Sequence, residues 1–367
     1  MLTLKALKLR STVRRRVTVV VSATALAMTL AACGSSGDEA SSSSSGLQLS
    51  QGWDAVVTAA KSEGKVVFYT SLDPDRSNAL EKAFEKAYPD IDATFARGAS
   101  GEMITRLDQE REHKLGGADV AIVTEGRWYD ERSQASELMD LKDLPNADLW
   151  SETPASDYLK GDYVGAELIP IQIAWNPKYV KTPLTDYTDV LRPEFKGKVG
   201  TPDLIATSIS AWYAHLEKTY GADYISDLAK QKPRLYQSTT PLAQATVAGE
   251  VWVDMFAPGA IFKAYESQGA DIKVVAPDPA ISTAMWAGAL SYADHPNAAA
   301  VMLNFLLGTE GQTALNGDGY GISALGAKAV PTSIDAKPLL LQPEKLSQAD
   351  IDGIAKRVRP LLGSSGG

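Results

Sequence analysis

One cysteine, Cys33, and three histidines, His113, His215 and His295, stand in a chain of 367 residues. A single cysteine closes no intrachain disulfide, and the histidines have none of the spacings at which imidazoles share a metal ion. His113 lies in the charged run Glu110-Arg111-Glu112-His113-Lys114 and reads as a surface residue. Net positive charge is lacking too. The formal charge is −9, and residues 1–32 carry six Lys/Arg and no Asp/Glu, so the rest of the chain is more acidic still. An acidic body argues against nucleic acid as a partner and against wide contact with anionic lipid. No Ser/His/Asp set, phosphate loop or short repeat is evident. Ser62-Glu63-Gly64-Lys65 fits a serine-x-x-lysine pattern, but the chain has no lysine-threonine-glycine partner for it.

Hydrophobic runs of membrane-spanning length are scarce as well. Val17 to Ala32 is apolar, but it contains Thr18, Ser22, Thr24 and Thr29 and falls short of the roughly 20 residues a spanning helix needs. It follows Lys5, Lys8, Arg10, Arg14, Arg15 and Arg16, the order of a secretory signal peptide. It ends in Leu30-Ala31-Ala32-Cys33, which resembles the bacterial lipobox. That resemblance implies residues 1–32 as a lipoprotein signal peptide and Cys33 as the lipid-bearing residue, with no thiol left over. Gly34 to Gly46, GSSGDEASSSSSG, offers no large apolar side chain to bury and reads as a flexible tether. The last five residues, 363–367, read as a disordered tail.

The body, from Leu47, alternates strands and helices. Lys65 to Tyr69, Ile91 to Phe95 and Ala118 to Val123 are predicted strands. Asp73-Pro74 predicts a helix start, with Leu80, Phe84, Ala87 and Tyr88 at helical spacing, and Ser100 is expected to cap a second helix. The pattern recurs with strands at Arg234 to Gln237, Val251 to Met255 and Ile272 to Val275. Helices are predicted from Thr240-Pro241 to Gly249 and over Pro258 to Gln268. Leu168 to Trp175, Lys198 to Thr201 and Met285 to Tyr292 read as strands, and Pro296 to Leu307 and Gln348 to Leu361 as helices. Such alternation predicts mainly parallel sheets covered by helices, and about 320 residues suffice for two cores.

Several pieces in order carry a resemblance across roughly residues 65 to 315. They are Val67-Phe68-Tyr69-Thr70-Ser71, Arg97-Gly98-Ala99-Ser100-Gly101-Glu102, Gly117-Ala118-Asp119-Val120, Trp175-Asn176, Gly197-Lys198-Val199, Ala248-Gly249-Glu250-Val251, Asn304-Phe305-Leu306-Leu307 and Gly311-Gln312. Together they resemble the ferric-iron-type (family 1) extracellular solute-binding lipoproteins of ABC importers. The resemblance implies an α/β, two-lobed, type II periplasmic-binding-protein-like fold. Lobe one would comprise 47–168 plus 283–362 and lobe two 169–282, with a two-stranded hinge near Ile169 to Trp175 and Ser282 to Leu290. Ligand would sit between the lobes, at strand ends and helix starts. The family's metal site does not carry over. Phe256-Ala257-Pro258 stands where ferric receptors have adjacent tyrosines, no histidine falls near Ser71 to Asp73, and Asp254 and Glu125 are too few for hard ferric iron.

Tyr69 ends the first strand and Thr70 and Ser71 follow it, Ser100 and Gly101 open a helix, and Thr207, Ser208 and Ser210 precede the apolar stretch Ala211 to Tyr220. Hydroxyl-bearing helix starts facing one cleft would bind an anion. Arg97 is a candidate for two-pronged pairing with it. Trp128, Tyr129, Trp252, Phe256 and Trp286 are the aromatics expected near an organic portion, with Trp128 and Phe256 placed in the site beside Glu125 and Asp254. The expected function is a lipid-anchored, monomeric receptor at the extracytoplasmic face of the cell membrane. It would capture a small organic anion, phosphonate or phosphate ester first, by hinge closure, and pass it to an ABC permease and its ATPase, with no cofactor and no catalysis. A ferric receptor with a non-tyrosine site, a secreted α/β hydrolase and a signalling lipoprotein stand as alternatives.

Overall fold

Several short apolar runs in this chain become strands at the centre of a sheet. β3 (Val120–Val123) is buried at all four positions and lies between two other strands. The structure, a computed structural model, describes residues 47–152, 155–204, 206–278, 280–317, 321–326, 329–330, 339–341 and 345–363. The expectations for the signal peptide, Cys33, the tether and residues 364–367 lie outside the described residues.

In chain order the elements are α1 (Trp53–Glu63), β1 (Lys65–Thr70), α2 (Pro74–Ala87), β2 (Asp92–Arg97), α3 (Ser100–His113), β3, α4 (Gly126–Gln134), β4 (Val164–Trp175), β5 (Val199–Pro202), α5 (Thr207–Tyr220), α6 (Tyr224–Lys230) and β6 (Arg234–Tyr236). There follow α7 (Thr239–Ala248), β7 (Val253–Pro258), α8 (Gly259–Ser267), β8 (Lys273–Val275), β9 (Ile281–Ala289), α9 (Pro296–Leu307), α10 (Thr309–Asn316), β10 (Leu339–Leu340) and α11 (Gln348–Leu362). Local chemistry sets several boundaries. Asp73 accepts from the Arg76 amide at 3.1 Å and Pro74 opens α2. Gly64 and Gly249 end α1 and α7 in the left-handed region, at φ 72° and 82°, which glycine adopts without steric penalty. Ser347 and Asp350 form a capping box at the head of α11.

The strands run β2-β1-β3-β9-β4-β7-β5-β6, with β10 on β9 and β8 on β4. Pairing is parallel at both ends, β2-β1-β3 and β7-β5-β6, and antiparallel in the middle, where β9 and β4 cross. The sheet is therefore mixed: an α/β fold of the expected type, with the long crossing strands breaking the parallel runs. In these strands Ile169 faces Thr283, and Ile171 faces Ile281 on one side and Pro258 on the other. Two large cores flank the crossing. One gathers Val66, Phe68, Leu80, Phe84, Val120 and Phe305, the other Tyr187, Phe195, Trp212, Tyr213, Leu216 and Met255. The tail helix, grouped with lobe one on its place in the chain, packs with the second core through Ile354, Val358 and Leu362.

Several expected boundaries move. Ala99, not Ser100, is the cap of α3, because the Ser100 hydroxyl is engaged by other hydroxyls. α7 starts from Ser238, which puts Thr240 and Pro241 inside the first turn, where proline's missing N–H leaves no bond unmade. α5 begins at Thr207 rather than after Ser210. β9 starts at Ile281, earlier than Met285. Its Ser282-Thr283 pair reads as polar, yet pairing with β4 carries the strand through it.

Candidate functional site

The starts of α3, α5 and α7 and the end of β1 meet the crossing strands around a cavity of about 140 Å³. On the side of the first core, Ser71 follows β1, Ser100 opens α3, and Thr124 follows β3. The Ser100 hydroxyl donates to Ser71 Oγ at 2.8 Å, lies 2.8 Å from Thr124 Oγ1, and accepts from the Thr124 amide at 3.2 Å. On the side of the second core, α5 presents Ser208, 4 % exposed and with no side-chain hydrogen bond among the described residues. α7 presents Ser238, Thr239 and Thr240. Thr283, on β9, is 3 % exposed, and its hydroxyl also has no partner among the described residues. Each helix start leaves N–H groups without partners inside its helix, and these favour negative charge.

Two arginines border the cavity. Arg97, at the end of β2, donates from Nε to the Leu72 carbonyl at 2.8 Å and from Nη2 to Thr240 Oγ1 at 3.3 Å, which links the two sides. Arg76 is buried. Its Nε donates to Asp73 at 2.5 Å and its Nη1 to Glu167, and its Nη2 has no partner among the described residues. Burial pushes the Glu167 carboxyl up to about 7, although Arg76 pulls it the other way. Ala99, Ala206 and Ile209 stand among the polar members at the helix starts, and the other apolar wall residues are Ile169, Ile171, Phe256, Pro258, Ile261 and Met285.

Of the residues expected at the site, Ser71, Arg97, Ser100, Gly101, Ser208 and Phe256 line the cavity. The others lie elsewhere. Side chains alternate along β1, and Tyr69 turns to the far face, donating to Glu110 at 2.9 Å beneath the Arg106 guanidinium. The Thr70 hydroxyl accepts from the Leu72 amide at 3.0 Å and orders the turn. Trp128 packs edge-on against Tyr129 and donates to Asp108 at 3.1 Å. Tyr129 and Trp286 are core, and Trp252 stacks with Tyr179 away from the cavity. Ser210 is buried one helical step beyond the rim. Asp254 is buried on β7, accepts from the Phe256 amide at 2.8 Å, and is pushed up to about 8 by burial. Thr207 and Glu125 bond each other across the two sides, beside the cavity rather than in its wall. Glu125 is pushed up by burial, and that bond draws it down.

Arg76, Thr124, Thr283 and the isoleucines of β4 were missed. Arg76 follows its cap Asp73 by three residues, which reads as an ordinary surface pair. Thr283 becomes a wall residue only through the β4–β9 register. Among the described residues no three His, Cys, Asp or Glu side chains gather as a metal site, and no helix is long and apolar enough to cross a membrane.

No protein of curated function matches the sequence. Many solved structures share the fold. A substrate-binding protein of an ABC transporter from Agrobacterium tumefaciens aligns with a TM-score of 0.70 at 17 % identity, over 83 % of this chain and 97 % of that one. Iron-bound HitA from Pseudomonas aeruginosa gives 0.63 at 20 % identity, over 81 % and 99 %. The periplasmic binding protein AfuA from Actinobacillus pleuropneumoniae, with fructose 6-phosphate bound, gives 0.62 at 21 % identity, over 82 % and 97 %. The profile described as bacterial extracellular solute-binding protein matches residues 71–313, about two thirds of the chain. With the sheet, the crossing strands and the cleft in agreement, the chain belongs to the bacterial extracellular solute-binding protein family.

Proposed function

We propose that this protein captures a small organic anion, with a phosphonate or phosphate ester ahead of a plain carboxylate, and delivers it to an ABC permease. The observation that carries the ligand class is the convergence of the α3, α5 and α7 starts on one cavity, where the buried Ser208 hydroxyl has no partner among the described residues. An oxyanion satisfies both the hydroxyls and the free helix N–H groups, which no neutral sugar does as well. The fructose 6-phosphate bound in the similar AfuA supports a phosphorylated solute, and the A. tumefaciens receptor supports the transport role.

Capture works by closure. The residues that touch an anion come from both sides of the crossing strands, so a closed form makes contacts that an open form loses. Ligand then shifts the population towards closure. The halves, 47–168 with 283 onwards and 169–282, move as lobes about β4 and β9, with α11 riding on the second. Cys33 carries lipid and holds the receptor at the outer face of the membrane. Ferric iron has little support: Asp73, the carboxylate in the cavity wall, is held by Arg76.

Calorimetry with phosphonates, phosphate esters, carboxylates and neutral sugars tests the ligand class. Binding of a phosphorus oxyanion with no heat from neutral sugars is the expected result. Tight binding of a neutral sugar with no response to any anion would overturn it.

A further inference from the structure

The cavity wall is divided by chemistry. Its polar members come from the loop after β1, the loop after β3, the end of β2 and the starts of α2, α3, α5 and α7. Its apolar members come chiefly from the crossing strands and the β7–α8 turn: Ile169, Ile171, Met285, Phe256, Pro258 and Ile261. Register keeps this second group contiguous, since Ile171 is the cross-strand partner of Pro258 and lies two residues from Ile169 on the same face of β4. Beside it the hydroxyl of Thr283 faces the cavity, without a partner among the described residues.

We infer that the solute has an oxyanion head and a short apolar body, an alkyl or aryl substituent without hydroxyl or amino groups. This rests on the proposed anion reading and narrows it. With the head held among the hydroxyls, a sugar body would turn several of its own hydroxyls towards the Ile, Met, Phe and Pro side chains, which offer no acceptor. An ammonium needs a carboxylate. The carboxylate in the wall, Asp73, already accepts from the Arg76 amide and Arg76 Nε, and no Asn, Gln, Glu or His lines the cavity. A buried donor left unpaired weakens binding by about tenfold or more. An apolar body meets Ile, Met and Phe side chains and gains affinity with each methylene buried. The cavity of about 140 Å³ limits the body to a few carbons, since pockets for drug-sized ligands hold about 300–1,000 Å³. The Thr283 hydroxyl can donate to a head oxygen or an ester oxygen at the junction of the two regions.

Calorimetry on the intact protein, freed of co-purified ligand by unfolding and refolding, tests this with a fixed head and a varied body. The probes are inorganic phosphate, methyl-, propyl- and phenylphosphonate, 2-aminoethylphosphonate and fructose 6-phosphate. The expected order has propyl- or phenylphosphonate tightest. Methylphosphonate should be weaker, and 2-aminoethylphosphonate and fructose 6-phosphate at least about tenfold weaker than propylphosphonate. If fructose 6-phosphate or 2-aminoethylphosphonate equals or exceeds propylphosphonate, the apolar body is wrong and the oxyanion head stands. If no phosphorus oxyanion binds, head and body both fall.

Discussion

Thr207, the first residue of α5, donates its hydroxyl to Glu125, which precedes α4 on the other side of the cleft. Glu125 is 4 % exposed, and its second oxygen finds no partner among the described residues. A hydrogen bond to a charged group contributes about 1.5–3 kcal/mol, and this one exists only while the two sides are together. Thr207→Val should therefore favour the open form and weaken ligand binding by roughly tenfold. Small-angle scattering of the unliganded protein reads the first effect as a larger radius of gyration, and calorimetry reads the second. An unchanged radius with unchanged affinity would remove Thr207 from closure.

Ser208→Ala separates ligand contact from stability. The Ser208 hydroxyl has no partner among the described residues, so its loss should leave the melting temperature within about 2 °C of the original. Affinity for a phosphorus oxyanion should drop about tenfold or more. A large loss of stability would show the hydroxyl to be structural instead.

Arg76 lies between Asp73 and Glu167, with Glu167 buried at 0 % exposure. Removing one partner of a buried pair strands the other. Arg76→Met should destabilise by about 3–5 kcal/mol, and Arg76→Met with Glu167→Met should recover much of that. Denaturant unfolding of the single and double variants measures the difference. A double variant no better than the single would mean that Glu167 is satisfied without Arg76.

Asp254 links folding to pH. Burial raises its carboxyl to about 8 in the folded chain from the ordinary 3.8. Between those values the folded chain keeps a proton that the unfolded chain has released. Its contribution to stability is thus full below about 4 and is lost as pH rises through about 8. Asp254→Asn retains an oxygen for the Phe256 amide and removes the ionisation. Its melting temperature should gain on the original by at least about 2 °C between pH 5 and pH 8.5. Parallel pH profiles for the two proteins would place the titration elsewhere.

Cys33→Ala should abolish incorporation of a fatty-acid probe in cells, as the Leu30-Ala31-Ala32-Cys33 order implies. Equal labelling of both forms would exclude Cys33 as the lipid site.

Much of this was legible in one dimension. Alternation of apolar runs with capped, helix-spaced segments is a local property, so Val67-Phe68-Tyr69, Asp73-Pro74 and Gly249 announced their elements directly. Hydroxyls at strand ends and helix starts are local too, which is why Ser71, Ser100 and Ser208 are in the cavity wall. The acidic balance, the lone cysteine and the absence of metal spacing likewise need no coordinates. The direction of a side chain was decided otherwise. Tyr69 and Ser71 lie two residues apart, yet Tyr69 turns to Glu110 while Ser71, past the strand's end, meets Ser100. Trp128 follows a strand as a ligand-stacking residue would, but it packs into a core that leaves it 4 % exposed, with its indole N–H on Asp108. Thr283 and the isoleucines of β4 entered the site because two strands more than 100 residues apart pair in one register, Ile169 against Thr283, and Arg76 of α2 is held there by Glu167 of β4. Periodicity reports which residues are buried. Only the long-range pairing of β4 with β9 and β7 decides which of the buried residues share a wall, and hence what kind of solute that wall can hold.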